Sequence, residues 1–246
     1  MRLSPFAQPD PRRTAFLRAQ PFAHRGLHGG AVVENSRAAW AGAIALGHGI
    51  ECDVQAAADG TPFVFHDDDL ARLAGRPERV AALAPAALDA IRLTGSDETI
   101  PRLTEMLAIV AGRVPLLIEI KADGGRVAQL CLAVRHALEG YRGPVAVMSF
   151  NPLVGRWFAR HAARLTRGLV VSEEGKRGSR GAVERWLSLW QARADFLAYD
   201  VRDLPSRFAG RFRARGLPLL TWTVRSAAAE ETAARYADRP IYERHP

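Results

Sequence analysis

Eight short apolar runs, most of them separated by a stretch with helical periodicity, constrain this chain more than any other feature of it. The runs are residues 21–25, 50–54, 62–66, 115–121, 144–150, 167–171, 195–199 and 218–224. Helical patterns occupy 36–46, 102–111, 125–139, 151–163, 180–193 and 205–215. Strands that alternate with helices build a parallel sheet whose crossovers cover its faces. No glycine-rich dinucleotide fingerprint follows the first run, so the pattern predicts a closed α/β barrel of the TIM type rather than an open doubly wound sheet. The 246 residues, 48% hydrophobic, suffice for one such barrel.

The exception to regular alternation is "IECDVQAAADGTPFVFHD" (50–67). In extended chain Ile50, Cys52 and Val54 share one side, while Glu51, Asp53 and Gln55 share the other. A turn signal at Asp59-Gly60 then returns the chain, with Phe63 and Phe65 on one side and Val64 and His66 on the other. A helical crossover needs a dozen or more residues between strand ends, so none fits, and the second and third strands are joined without a helix. A hairpin and a direct return to a parallel strand both remain open, and either brings His66 back to about the level of Asp53. The long stretch 67–100 reads as a small helical cap inserted after the third strand. We expect an N-terminal extension over 1–20 and one barrel domain over 21–246.

Composition excludes several classes. No apolar run reaches the roughly 18 residues of a membrane span. The basic N-terminus carries Pro and Asp where a secretion signal needs an uninterrupted apolar core, so the expected location is the cytoplasm. Two cysteines, Cys52 and Cys131, lack ligand spacing and read as buried thiols. The net charge of +8 and pI near 10.4 arise from arginines scattered through nearly every segment. That spread implies a solvated surface with some attraction for anionic substrates or lipid, not specific nucleic-acid binding. Oligomeric state is not encoded in any feature.

Barrel chemistry collects at the C-terminal ends of the strands, and that is where the unusual residues fall. In "PLLIEIK" (115–121) Glu119 and Lys121 share the face opposite Leu116, Ile118 and Ile120. His24 and Arg25 stand at the exit of the first strand. Glu51 and Asp53 repel when ionised and need a cation between them. Glu119 supplies a third carboxylate, and three oxygen donors suit one hard divalent ion, Mg²⁺ or Ca²⁺. Arg25 and Lys121 would offset the remaining negative charge and hold a phosphate. His24 and His66 are left for proton transfer, which metal-assisted phosphodiester cleavage requires in both directions. Each residue alone has an ordinary explanation, such as a Glu119–Lys121 ion pair or a hydrogen-bonded interior histidine. Their convergence at several strand ends is what points to a site.

In order, the chain carries "HRG" (24–26), "EN" (34–35), "ECDV" (51–54), "DG" (59–60), "HD" (66–67) and "EIK" (119–121), with "SF" (149–150) and "WTV" (222–224) further on. This ordered set resembles the glycerophosphodiester phosphodiesterases, over nearly the whole chain after residue 20. The resemblance implies an irregular β/α barrel that hydrolyses glycerophosphodiesters, its small-molecule substrates, to glycerol 3-phosphate and an alcohol through a cyclic phosphate. It implies Glu51, Asp53 and Glu119 as metal ligands, His24 and His66 as acid and base, and Arg25 and Lys121 as phosphate contacts. Glu34 and Asn35 would position the first loop, and Phe150 and Trp222 would wall the glycerol or alcohol group or simply pack the barrel. Arg225 stands where relatives often have asparagine, which bears on the alcohol accepted. Two alternatives stay open: a lysophospholipase D-like enzyme acting on single-chain lipids, and a barrel that binds an anionic phosphodiester without cleaving it.

Overall fold

The computed structural model describes residues 10–243 apart from Asp123. The first nine residues of the expected N-terminal extension, and the last three of the chain, lie outside the described residues. In chain order the helices are α1 (Pro11–Thr14), α2 (Arg37–Ala45), α3 (Ala71–Ala74), α4 (Pro85–Asp89), α5 (Leu103–Val110), α6 (Val127–Ala137), α7 (Pro152–His161), α8 (Ser179–Ala192), α9 (Arg207–Arg213) and α10 (Ala227–Tyr236). The strands are β1 (Phe22–Ala23), β2 (Gly49–Ala56), β3 (Pro62–Val64), β4 (Leu116–Ile120), β5 (Val145–Ser149), β6 (Thr166–Val171), β7 (Phe196–Asp200), β8 (Leu219–Val224) and β9 (Arg239–Tyr242). By contacts the chain divides into two compact units, residues 23–145 and residues 146–243 together with the N-terminal segment.

In the unit of residues 23–145, β2 is the central strand. All eight of its residues are buried, as expected of a strand covered on both faces. It runs parallel to β4, with Asp53 level with Glu119 and Val54 with Ile120. It pairs antiparallel with β3, with Val54 opposite Val64 and Ala56 opposite Pro62. The connection without a helix is therefore a hairpin. The Phe65 amide donates to the Asp53 carbonyl at 3.0 Å, which returns the chain to the level of the acids.

The stretch 67–100 is less helical than the sequence predicts. Its only α-helices are α3 and α4, of four and five residues, and isolated bridges tie Asp69 to Arg79 and Arg92 to Thr99. Its shape comes from burial instead: Phe63 and Phe65 on the hairpin pack with Leu70, Val80, Leu88 and Ile91 of the insertion in one cluster. Six large apolar side chains removed from water hold together a segment whose own helices are too short to stand alone.

In the unit of residues 146–243, β5 to β9 form a continuous parallel ladder in chain order. Helix starts carry their signals here: Asn151 caps α7 ahead of Pro152, Ser206 caps α9 and Ser226 caps α10. The core joins Leu169, Leu197, Tyr199, Phe208, Phe212 and Leu219. Residues 11–18, expected to lie outside the domain, are helical and dock on this unit. Leu17 is fully buried, and Arg13 reaches Asp195 at 3.4 Å. Strand β9 and α10 both fall after the last of the apolar runs and helical patterns read from the sequence.

Candidate active site

The side chains read from sequence as catalytic or metal-binding all lie in the unit of residues 23–145. Two loops and two strands place them. Glu51 and Asp53 project from one face of β2, and Glu119 projects from β4 at the register of Asp53. A carboxylate oxygen from each of the three lies within 4.8 Å of the others, and all three residues are buried.

Backbone conformation supports the loop after β1. Arg25 (φ 55°), Gly26 (φ 81°) and Asn35 (φ 54°) are left-handed, a region costly for the two residues that carry a Cβ. A Cβ on Gly26 would sit 2.7 Å from the Ala39 Cβ, so the glycine lets this loop lie against α2. The Asn35 amide donates to the Arg25 carbonyl at 2.8 Å, closing the loop on itself. From that position the Arg25 amide donates to Glu51 at 3.0 Å, and the Asn35 side-chain amide donates to Asp53 at 3.1 Å. The strained residues are thus the ones that touch the acids.

Charge is distributed unevenly over the cluster. Glu51 is held well above the usual carboxylate range, first by burial and then by Asp53 and Glu119. Burial also dominates at Glu119 and raises it, with Lys121 opposing. At Asp53 burial pushes upward too, but Lys121 at 3.0 Å and Arg25 at 3.2 Å outweigh it and hold the carboxyl low. Lys121 also pairs with Glu119. Burial would lower Lys121 and Arg25, yet the surrounding carboxylates raise both, so both stay cationic.

The cluster fits a cation on a direct observation. Glu51 Oε1 and Asn35 Oδ1 are buried oxygens with no hydrogen-bond partner among the described residues. A buried lone pair without a donor costs free energy that an ion recovers. All the donors are hard oxygens, the set that suits Mg²⁺ or Ca²⁺. His24 Nε2 lies 3.8 Å from Glu51 Oε2, beside the cluster.

Three residues of the site were not singled out from sequence. Asp67 Oδ1 lies 2.7 Å from His66 Nδ1. Arg72, in α3, donates to both Glu34 oxygens at 2.7 and 2.8 Å and to Asp67 at 2.6 and 3.0 Å. Glu34 in turn accepts from Arg25 at 2.7 Å. Gln55, one turn of the pleat beyond Asp53, donates its amide to the carbonyls of Phe65 and His66 at 3.2 and 2.9 Å, and also to that of Asp67. The only sequence signal for Gln55 was its place on the acidic face, and for Asp67 its adjacency to His66. Glu34 is thus an ion-pair hub between Arg25 and Arg72.

Phe150 and Trp222 belong to the other unit, where they meet edge to face with ring centroids 5.5 Å apart. The Trp222 indole donates to the Ala198 carbonyl at 3.0 Å. Arg225 forms a two-point pair with Glu243 at 2.6 and 2.8 Å.

Solved structures resemble this chain throughout. A protein from Silicibacter pomeroyi DSS-3 superposes with a TM-score of 0.76 at 23% identity, covering 95% of this chain and 93% of its own. A phosphodiesterase from Oleispira antarctica, solved with its product sn-glycerol-3-phosphate, matches at 0.76 and 22% identity over 95% and 94%. A glycerophosphodiester phosphodiesterase from Thermotoga maritima matches at 0.71 and 23% over 91% and 94%. The fold is accordingly the TIM-type (β/α)8 barrel. No curated protein matches the sequence closely enough to count as a relative. The sequence profile of the glycerophosphoryl diester phosphodiesterase family matches residues 24–241, and the chain belongs to that family of enzymes. Among the described residues no helix is long and apolar enough to cross a membrane.

Proposed function

We propose that the enzyme hydrolyses small glycerophosphodiesters with a divalent cation held by Glu51, Asp53 and Glu119, and that His24 and His66 move the protons. The observation that carries this reading is the unpartnered, buried Glu51 Oε1 inside a triangle of carboxylates. Bound there, Mg²⁺ or Ca²⁺ would polarise a phosphoryl oxygen and offset the charge of the acids.

Arg25 and Lys121 stay cationic and bind the non-bridging phosphate oxygens, orienting phosphorus toward the attacking group. In the first step the neighbouring glycerol hydroxyl forms a bond to phosphorus while the bond from phosphorus to the alcohol oxygen breaks. One histidine accepts the hydroxyl proton, and the other donates a proton to the departing alkoxide. In the second step water opens the cyclic ester with the two histidines in exchanged roles, giving glycerol 3-phosphate and restoring both. Asp67 keeps the His66 ring oriented, since a carboxylate only accepts and so fixes the proton on Nδ1 and leaves Nε2 for the substrate.

The test is release of glycerol 3-phosphate from glycerophosphoethanolamine, followed before and after chelation and metal return. Chelation should abolish release, and Mg²⁺ or Ca²⁺ should restore it. His24→Ala should lower kcat by at least about 10²-fold while metal still raises thermal stability. Full activity in chelator, or wild-type turnover by His24→Ala, would overturn the proposal.

A further inference from the structure

A cavity of about 370 Å³ adjoins the acid cluster through Lys121, which lines it while its ammonium contacts Asp53 and Glu119. Gln55 lines it too, two residues beyond Asp53 on the same face of β2. The remaining charged lining comes from outside the strands: Asp68 and Arg79 from the insertion, and Arg126 from the turn before α6. Its apolar floor is alanines and Leu130. The volume suits a polyol or a short head group.

Two properties of this lining limit what it can hold. First, among the described residues no aromatic side chain lines it. A quaternary ammonium group such as choline is normally held by the faces of aromatic rings, and among the described residues the cavity instead offers it two arginines, Arg79 and Arg126, beside the one carboxylate of Asp68. Second, the two arginines are available. Arg79 meets Asp68 at 3.4 Å with both side chains about two-thirds exposed, a pair that water weakens and a ligand can displace. Arg126 donates to the Ala81 carbonyl at 3.4 Å, which holds it at the rim, and pairs with no carboxylate among the described residues.

We infer that this cavity receives the leaving alcohol, and that the alcohol the enzyme selects carries an anionic group of its own, a phosphate ester or a carboxylate. The inference rests on the proposed hydrolysis. In it, Lys121 marks the junction: its inner side serves the reacting phosphate, and the cavity beyond it serves the group bonded to that phosphate. Arg79 and Arg126 then act as specificity residues that bind the distal anion. An arginine pair presents a planar donor array matched to phosphate or carboxylate oxygens, which a lysine pair would not.

Three substrates separate this from the alternatives: glycerophosphoinositol 4-phosphate, glycerophosphoinositol and glycerophosphocholine. The first two differ only by the distal phosphate, and the third carries a distal cation. Glycerophosphoserine, with a distal carboxylate, extends the comparison to the second source of the same chemistry. With saturating metal, kcat/KM for the inositol phosphate ester should exceed that for the inositol ester about tenfold, and that for the choline ester by more. The preference should fade as ionic strength rises from about 0.05 to 0.5 M, because exposed charges are screened. In the double variant Arg79→Gln/Arg126→Gln the ratio of the two inositol esters should fall close to one, and its circular dichroism and melting should match the wild type because both side chains are exposed.

Equal rates on the two inositol esters, faster cleavage of the choline ester, or an unchanged ratio in the double variant would each overturn the inference while leaving the hydrolysis intact. Cleavage of none of the substrates in the presence of metal would sink the proposed function and this inference together.

Discussion

His66 and Asp67 are consecutive in sequence, yet their side chains turn toward each other, with Asp67 Oδ1 2.7 Å from His66 Nδ1. The same carboxylate is gripped through both oxygens by Arg72. An imidazole fixed in this way presents a defined tautomer to its other neighbour, and the arginine prevents the carboxylate from rotating off the ring.

Replacing Asp67 by asparagine keeps the size but offers the ring an amide that can present either end. The Asp67→Asn variant is expected to lose about 10²-fold in kcat with KM nearly unchanged, because substrate contacts are untouched while proton transfer suffers. Asp67→Glu should recover part of the loss. Steady-state kinetics with glycerophosphoethanolamine check this. A change confined to KM, or equal losses in both variants with a lowered melting point, would assign Asp67 to structure alone.

Arg72 lies between Glu34 and Asp67, and the pH dependence of stability reports on that junction. Burial pushes the Glu34 carboxyl up, but hydrogen bonds and charge from Arg72 and Arg25 hold it below its ordinary 4.5. Burial likewise opposes the hydrogen bonds from Arg72 and His66 that hold Asp67 below 3.8. A carboxyl depressed in the folded state contributes stability that is present above its unfolded value and is lost as pH falls through the folded one. The difference in Tm between wild type and Arg72→Gln should therefore be constant above about pH 5 and should shrink as pH falls through the lowered folded-state values of the two carboxyls. It should amount to a few degrees at most, since the Arg72 side chain is 47% exposed. Melting curves from pH 3 to 7 measure it, and a gap that persists at the acid end would exclude these ion pairs as its source.

How far the site was legible in the sequence depends on range. Glu51, Asp53 and Glu119 were legible because strand alternation and barrel order put them on one face at one end, two facts local to each run. The connection without a helix was legible from the Asp59-Gly60 turn and the short spacing, whereas the choice of a hairpin over a parallel return was set by pairing between β2 and β3. Arg72 was not legible, because it reaches Asp67 and Glu34 only once the insertion has folded back, and an arginine in an exposed four-residue helix carries no signal of that. The insertion reads as a small helical cap from the composition of "RVAALAPAALDAI" (79–91), and its helices are there but short. Pro85 confines the helix to a few residues, and tertiary burial of Val80, Leu88 and Ile91 decides the rest. Strand β9 escaped because its Arg-Pro start reads as a chain end, although Tyr242 pairs in register with Val224. Helix α10 escaped because its alanines leave no apolar stripe, while its Ser226 cap was visible and passed over.

The carboxylate triangle makes its own prediction about stability, opposite in sign to that of most buried substitutions. Without a cation, Glu51 faces Asp53 and Glu119 across a few ångströms in a setting that burial has stripped of water, and its raised carboxyl records the cost. Substituting Glu51 by glutamine keeps the shape and removes a carboxyl that must either ionise beside the other two or take up a proton there. In chelator at pH 7 the Glu51→Gln protein is expected to melt higher than wild type, by an amount on the order of 1–2 kcal/mol. Adding Mg²⁺ or Ca²⁺ should raise the wild-type Tm as any ligand of the native state does, and should leave the variant almost unmoved. The order of the two proteins would then cross with metal. Differential scanning calorimetry at several metal concentrations gives the answer directly. If Glu51→Gln melts lower than wild type in chelator and still gains stability from metal, Glu51 serves packing and the ion sits elsewhere. The crossing requires both that the charges repel and that a cation relieves them, so neither half alone reproduces it.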